Sequence, residues 1–446
     1  MRTGPTARGI AATGVALLAL TACGGGGGSE EPDDAAATSE GDTQTNIYGT
    51  DGNMGNALGE SFTEEGSLAG MKGTTPLTEL GSDFTDRLDE IDPELQDYNY
   101  AGETYDAIVI TALAAQAAGT VEANEFKASV TGSTFGGDKC EDFASCLEIL
   151  EGGGNVDYDG FSGPLAFTDA GEPAVASCGL LQFGEDNAID ADATEYVLAG
   201  DEANAATDEG PDPVEAGATS DEPLRIGTLL PLTGNLAFLG PPEVAGAQLA
   251  IQDINEAGGV LGQDVELTEG DSGDASTDTA SQTVDRLLQA NVNAIIGAAS
   301  SGVSLTVIDA ITGAGVMQIS PANTSDEFTT YNDKDLYFRT APPDVLQARA
   351  LADLIIADGN NSVGILALND PYGTGLAENT KNNLIESGLA EEDIRDIIYD
   401  PQAQNYDTEV QEMVDFDPDA IVVIGFEESA RIIEGLNAQG IGPARE

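Results

Sequence analysis

From residue 224 to the end of the chain, short runs of apolar residues alternate with longer stretches in which apolar positions recur every three or four residues. The apolar runs at 224–230, 265–268, 294–296, 316–319, 363–368 and 420–424 read as buried strands. Between the first two, Val244, Ala247, Ile251 and Ile254 mark one face of a helix that Gly258-Gly259 ends, and Ala280, Val284, Leu287 and Leu288 mark another. Continuous apolar strands alternating with amphipathic helices predict parallel sheets covered on both faces. Such sheets bind ligands at the carboxyl ends of their strands.

The stretch 297–324, GAASSGVSLTVIDAITGAGVMQISPANT, holds two such strand ends with one helix between them. Ser301 follows the run 294–296 and opens the helix, so its backbone N–H and hydroxyl can face an anion that the helix N-terminus also favours. Thr324 follows the next strand and can close the same site. Both residues are also ordinary helix caps, and that reading stays open here.

The earlier part, 46–199, has few strands. It begins with the turn-rich IYGTDGNMGN, contains a mainly apolar helix over 105–118, and ends in strand-like pieces around PLAFTDAGEP and VASCGLLQFG. Two segments, 23–45 and 200–222, are nearly devoid of large apolar groups and read as a disordered acidic tether and a flexible acidic linker.

Length leaves room for two or three domains with substantial cores. The charge changes the picture more: 80 acidic against 15 basic residues give −65. A surface so acidic excludes nucleic acid and anionic membrane as binding partners and fits the solvation of a salt-adapted, halophilic protein. The chain has no histidine, so no Ser-His-Asp or Cys-His pair and no imidazole-bound zinc can form. No phosphate-binding or metal motif is present either, and the chain reads as a non-enzyme without cofactor or metal. Asp157 and Asp159 in VDYDG have only a superficial likeness to a calcium loop and read as turn formers or ion-pair partners.

At the start, Arg2 and Arg8 precede a short apolar core over 10–20, and Leu20-Thr21-Ala22-Cys23 resembles the bacterial lipoprotein cleavage box. The resemblance implies a signal peptide over 1–22, acylation of Cys23, and display outside the cytoplasmic membrane, anchored by lipid alone. In that oxidising setting Cys140 and Cys146, six apart, can form a local disulfide that contributes roughly 2 kcal/mol. Cys178, within an apolar run, reads as a buried free thiol.

Residues 223–446 resemble the amino-terminal two thirds of the type I periplasmic solute-binding proteins of the leucine/isoleucine/valine kind. LRIGTLLPLTGNLAFLGPPEVAGAQLAIQDINEAGGVLG is similar to that family's opening strand, loop and helix, and NDPYGTGLAENTKNNL to the first strand-turn-helix of its second lobe. Residues 46–199 resemble the remaining third, through YGTDGNMGN, YAGETYDAIVITALA and GGGNVDYDGFSGPLAFTDAGEP. The two parts stand in reversed order, so the chain resembles a circular permutation of the family, its original ends joined through 200–222. That arrangement places residues near Asn46 and Glu446 close together at a loop of lobe two.

The resemblance implies an α/β fold of two doubly wound lobes joined by a hinge, closing on an amino acid or related small molecule. It implies a monomeric ABC-transporter receptor serving a membrane permease. Two alternatives are a sensory lipoprotein with the same cleft and a rearranged product that binds nothing. By position, Ser301, Ala322 and Thr324 would take the ligand α-carboxylate, Tyr372 would close over it, and Tyr105 would wall the side-chain pocket. Leu239 stands where relatives often carry an aromatic. The family's acidic partner of the ligand ammonium falls at Ala69 here, which leaves Asp51 in the GTDG turn as the candidate replacement.

Overall fold

A computed structural model describes residues 44–208, 210–215 and 217–444. The expected signal peptide, the tether as far as residue 43 and the lipidation site Cys23 lie outside the described residues. Residue 45 does not belong to a free tether: Thr45 is buried and its hydroxyl donates to the Pro418 carbonyl at 3.2 Å.

The strands form two main sheets. One has five parallel strands in the order Tyr337–Arg339, Met317–Ser320, Ala294–Gly297, Arg225–Leu229, Glu266–Thr268. The other has seven, in the order Ile394–Tyr399, Val363–Leu368, Ala420–Ile424, Asn46–Gly49, Lys72–Pro76, Val175–Gln182, Glu195–Gly200. Its first five strands are parallel, and the last two add an antiparallel hairpin at one edge. The α/β architecture of two doubly wound lobes is therefore present, with strands from both halves of the sequence in the seven-stranded sheet.

The central strands of each sheet are buried on both faces, as their uninterrupted apolar runs require. On one face of the five-stranded sheet lies the helix pair Ala101–Ala118 and Gly240–Glu256, whose apolar side chains join Ile226, Ile296 and Ile319 in one core. On the other, Thr279–Gln289 and Ser301–Gly313 enclose a smaller cluster around Leu229, Ile295 and Leu287. Val363, Ile365, Ile421 and Val423 centre the core of the seven-stranded lobe. The chain passes between lobes four times, over 77–100, 159–174, 201–224 and 340–343, and the first, second and last of these crossovers form the hinge.

One of these crossovers is held by Asp106, which is buried and accepts from Tyr158 Oη at 2.6 Å, Phe161 N at 3.1 Å and Ser162 N at 2.7 Å. Another is tied by Arg339, 1% exposed, whose guanidinium pairs with the buried Glu172 and donates to the Asn323 and Ser325 carbonyls at 3.1 and 2.8 Å. Asp157 and Asp159 share Lys139 at 3.1 and 2.6 Å as ion-pair partners. Among the described residues no cluster of three or more metal-ligating side chains occurs. Cys140 and Cys146 are joined, fastening the short strand Asp138–Cys140 to the helix Phe143–Glu151. Cys178 is buried and free, and burial pushes its thiol up to about 12.

The acidic segment 200–222 departs from the expected flexible linker. Its described residues run along the five-stranded lobe: Ala206 N donates to Phe167 O at 2.9 Å, Val214 N to Ala117 O at 2.9 Å, and Ser220 N to Leu261 O at 3.1 Å. Val214 also packs where Gly119 has no side chain to exclude it. Backbone bonds, which composition does not reveal, hold the strap in place. Glu446 lies outside the described residues. Asn46 N donates to Asp419 O at 2.8 Å, and Asn437 Nδ2 to Ser67 O at 3.0 Å, both within the seven-stranded lobe.

Candidate functional site

The carboxyl ends of the two parallel sheets face one another across a narrow, nearly closed cavity of about 20 Å³. From the five-stranded lobe come Leu236, Leu239, Ala299, Ser300, Ser301, Ala322 and Thr324, and from the other side Asp51, Gly52, Tyr100, Tyr372 and Phe426. Six of the seven expected ligand residues are thus brought together: Ser301, Ala322, Thr324, Leu239, Asp51 and Tyr372.

The hydroxyl side is built by the turns after two neighbouring strands. Ser300 is the cap of the helix Ser301–Gly313, its hydroxyl accepting from Val303 N at 3.3 Å. That frees Ser301 from the capping role. Its oxygen accepts from Ser325 N at 3.3 Å, and its hydroxyl proton and the first backbone N–H groups of the helix remain for the cavity. Ser320 and Asn323 stitch the two turns together. Ser320 Oγ donates to Ala298 O at 2.7 Å, and Asn323 Nδ2 to Ala299 O at 2.8 Å. Ser320 Oγ also accepts from Ala322 N at 3.2 Å. This internal bond occupies the Ala322 N–H, so Ala322 contributes a methyl wall rather than the anion donor expected of it.

The opposite side is organised by Asp51, which is 6% exposed. Its Oδ1 accepts from Gln347 Nε2 at 2.9 Å and Tyr372 Oη at 2.8 Å, and its Oδ2 accepts from Tyr100 Oη at 2.9 Å. Burial raises the Asp51 pKa, and these three donors oppose the rise by favouring the carboxylate. Of roughly four acceptor positions on a carboxylate, one on Oδ2 is left open. Tyr372 gives its proton to Asp51, so Thr50 Oγ1, 2.7 Å from the same phenol oxygen, donates to it. The Tyr372 ring stacks on Phe426 with centroids 5.5 Å apart.

Tyr105 is not in the cavity. Its hydroxyl donates to Asp253 at 2.7 Å, and its ring meets Phe84 and Phe161 at 5.6 and 5.0 Å. The helix starts at Ala101, so a residue more than a turn inside it points into the lobe core. The aromatic that reaches the cavity is Tyr100, which precedes the helix at a left-handed φ of 61°. A bulky residue in that region stores about 1–3 kcal/mol of strain, a cost met most often at functional sites. Gln347, Phe426 and Leu236 were likewise unmarked by motif or spacing.

Buried carboxylates crowd the surrounding layer. Asp344 is fully buried and neither side-chain oxygen has a hydrogen-bond partner of normal geometry. Burial pushes its pKa well above the usual range, with the nearby Thr324 hydroxyl opposing. Asp370, which caps the helix Pro371–Glu386, is raised to about 6 by burial, with Glu428 and Asp51 adding to the rise. Glu103 is raised to about 8 by burial, and Glu243 well above its usual range by burial and then by Glu103.

For Glu103 the sign is fixed. The folded chain holds a proton that the unfolded chain releases near pH 4.5, so stability falls as pH rises from about 4.5 to about 8 and stays lowered above. Glu103→Gln should flatten that fall. Unfolding free energies measured at several pH values should show the variant gaining on the wild type toward pH 8, and equal slopes would contradict the burial assignment.

A sequence model described as periplasmic binding protein matches residues 223–445, half of the chain. The chain belongs to the periplasmic binding protein family. The paired lobes above are the type I form of this fold. Among curated relatives of this periplasmic binding protein, "Leu/Ile/Val-binding protein homolog 2" of Brucella abortus is 33% identical over 184 residues, 40% of this chain and 48% of the relative. Leu/Ile/Val-binding protein BraC3 of Rhizobium johnstonii is 30% identical, over 38% and 46%. The chain spans about half the length of the curated relatives it matches. Those relatives are named as binding proteins, not enzymes. Among solved structures, a branched-chain amino acid transporter substrate-binding protein from Streptococcus pneumoniae, in complex with isoleucine, is 28% identical. The match covers 49% of this chain and 62% of that one, with a TM-score of 0.43.

Proposed function

We propose that this periplasmic binding protein is an extracytoplasmic receptor that captures an amino acid or a related small molecule between its lobes and delivers it to an ABC permease. The observation that carries the reading is the meeting of Ser301 and Thr324 with Asp51 and Tyr372 around one cavity. An α-carboxylate suits the two hydroxyls and the N-terminus of a 13-residue helix. An ammonium suits the open position on Asp51. Contacts from both lobes favour the closed state, and closure is what a permease can recognise. The names of the Brucella and Rhizobium relatives support the amino-acid class. Lipid attachment at Cys23, a monomeric receptor and a salt-adapted surface complete the reading.

Thermal-shift and calorimetric screening against amino acids, amides and small carboxylates in concentrated salt tests it. A ligand at 100 times its Kd should stabilise the protein by about 2.7 kcal/mol. No stabilisation by any member of the panel would contradict the receptor reading.

In this reading the segments are circularly permuted: 46–199 supplies the family's last third, 200–222 is the joint, and 223–446 supplies the first two thirds. Two findings support it. Asn46–Gly49 lies parallel and in register beside Ala420–Ile424, the place to which a crossover through the helix Ser429–Ala438 would deliver a strand. The family model also matches only 223–445. A chain rebuilt with 223–444 ahead of 44–199 should fold and bind the same ligand with unchanged affinity. Insoluble or non-binding rebuilt protein, beside a functional parent, would count against the permutation.

A further inference from the structure

The inner cavity opens into a larger one. Gly52 and Phe426 line both, and the outer chamber, about 380 Å³, lies between residues 234–238 of one lobe and 52–61 and 426–427 of the other. Leu58 and Phe238 give this chamber apolar walls, while Glu60 and Glu427 stand exposed at its rim. Among the described residues no lysine or arginine lines either cavity.

In a chain of net charge −65, exposed acids need no special cause. Buried ones do, because a carboxylate removed from water without a partner is costly. Asp51 is in the inner wall. Asp344 stands just behind it: its backbone N–H bonds the Thr324 carbonyl at 2.6 Å, yet its carboxylate has no partner. Buried without a partner, Asp344 stays protonated, so the inner negative charge is that of Asp51, whose three donors favour the carboxylate, and the outer is that of Glu60 and Glu427; among the described residues no positive side chain faces either. An anionic ligand is disfavoured there, and a neutral branched aliphatic side chain makes no use of the outer rim.

The geometry points to a ligand with two positive charges: an amino acid whose side chain is an apolar spacer ending in an ammonium or guanidinium group, of the lysine, ornithine or arginine kind. This rests on the receptor reading above. Once the lobes part to admit them, the α-carboxylate and α-ammonium reach Ser301, Thr324 and Asp51 in the inner cavity, and the spacer passes Gly52 and Phe426 and lies along Leu58 and Phe238. The terminal cation meets Glu60 and Glu427, with the aromatic faces adding a cation–π attraction.

Calorimetric titration of the full chain with lysine, norleucine, leucine and glutamate tests the assignment, norleucine matching lysine's spacer without its terminal charge. Lysine should bind about tenfold more tightly than norleucine. In the double variant Glu60→Gln/Glu427→Gln, lysine should fall about tenfold while norleucine is unmoved, the size expected of two partly exposed ion pairs. Leucine or norleucine binding as tightly as lysine to the wild type, or a double variant that still prefers lysine, would overturn the inference and leave the receptor reading intact. Binding of none of the four would overturn the inference, and the receptor reading would then be decided by the wider ligand panel above.

Discussion

Replacing Ser301 and Thr324 together by alanine should weaken ligand binding by about 3–6 kcal/mol, since each hydrogen bond to a carboxylate contributes about 1.5–3 kcal/mol. The loss should be specific to the bound state. In the free protein Ser301 Oγ accepts one bond, from Ser325 N at 3.3 Å, while Thr324 is held through its backbone carbonyl by Asp344 N and its hydroxyl lies near the buried, protonated Asp344 carboxyl. Removing the two hydroxyls should therefore cost the unliganded fold only about 1 kcal/mol. Calorimetry on the ligand and denaturant unfolding without it separate the two effects. An unchanged affinity, or a stability loss as large as the binding loss, would return both residues to a structural role.

The second large effect concerns the hinge. Arg339→Met should destabilise the protein by about 3–5 kcal/mol, the usual consequence of removing one partner from a buried ion pair. Glu172, 6% exposed, would keep only its contact with Thr329 Oγ1, 3.0 Å away. The Asn323 and Ser325 carbonyls would lose their shared donor. The companion change Glu172→Gln should recover part of the loss, because the stranded charge is then removed. Urea unfolding of the single and double variants reads both numbers. A single variant within 1 kcal/mol of the wild type would show the pair to be dispensable.

The fold was largely legible where strands are continuous and apolar. Val363–Leu368 and Ala420–Ile424 match the expected ranges, and the others differ by a residue or two at their ends. In the earlier part the expectation of few strands failed, since Asn46–Gly49, Lys72–Pro76, Asp138–Cys140, Val156–Tyr158 and Glu195–Gly200 are all strands; after residue 224, two more were not anticipated. Ile394–Tyr399 exposes Arg395 and Asp396 because it is an edge strand, and Tyr337–Arg339 carries a buried arginine that hides its apolar character. Tyr105 and the strap over 200–222 were misjudged for related reasons. A side chain's direction depends on where its helix begins, and a polar segment can be fixed by backbone bonds alone.

Of the cleft, the half built by 297–324 was the more readable, because strand, turn and helix are consecutive there. The other half is assembled from Asp51, Tyr100, Gln347 and Tyr372, far apart in the chain. Tyr372 came through its position in the family resemblance, and Asp51 as the replacement for the acid that the resemblance places at Ala69. Gln347 has no local signal: it is an ordinary helical residue until the fold places its amide 2.9 Å from Asp51 Oδ1. The Ser300 cap was hidden for a different reason, since two adjacent serines offer the same cap and only geometry assigns it.

The most direct measurement is a crystal structure of the protein with the tightest ligand from the screen. The ligand should lie between Ser301 and Thr324 on one lobe and Asp51 and Tyr372 on the other, its carboxylate within hydrogen-bonding distance of both hydroxyls and its ammonium on Asp51 Oδ2. A tightly bound ligand that contacts one lobe only, or that sits away from these four residues, would contradict the account.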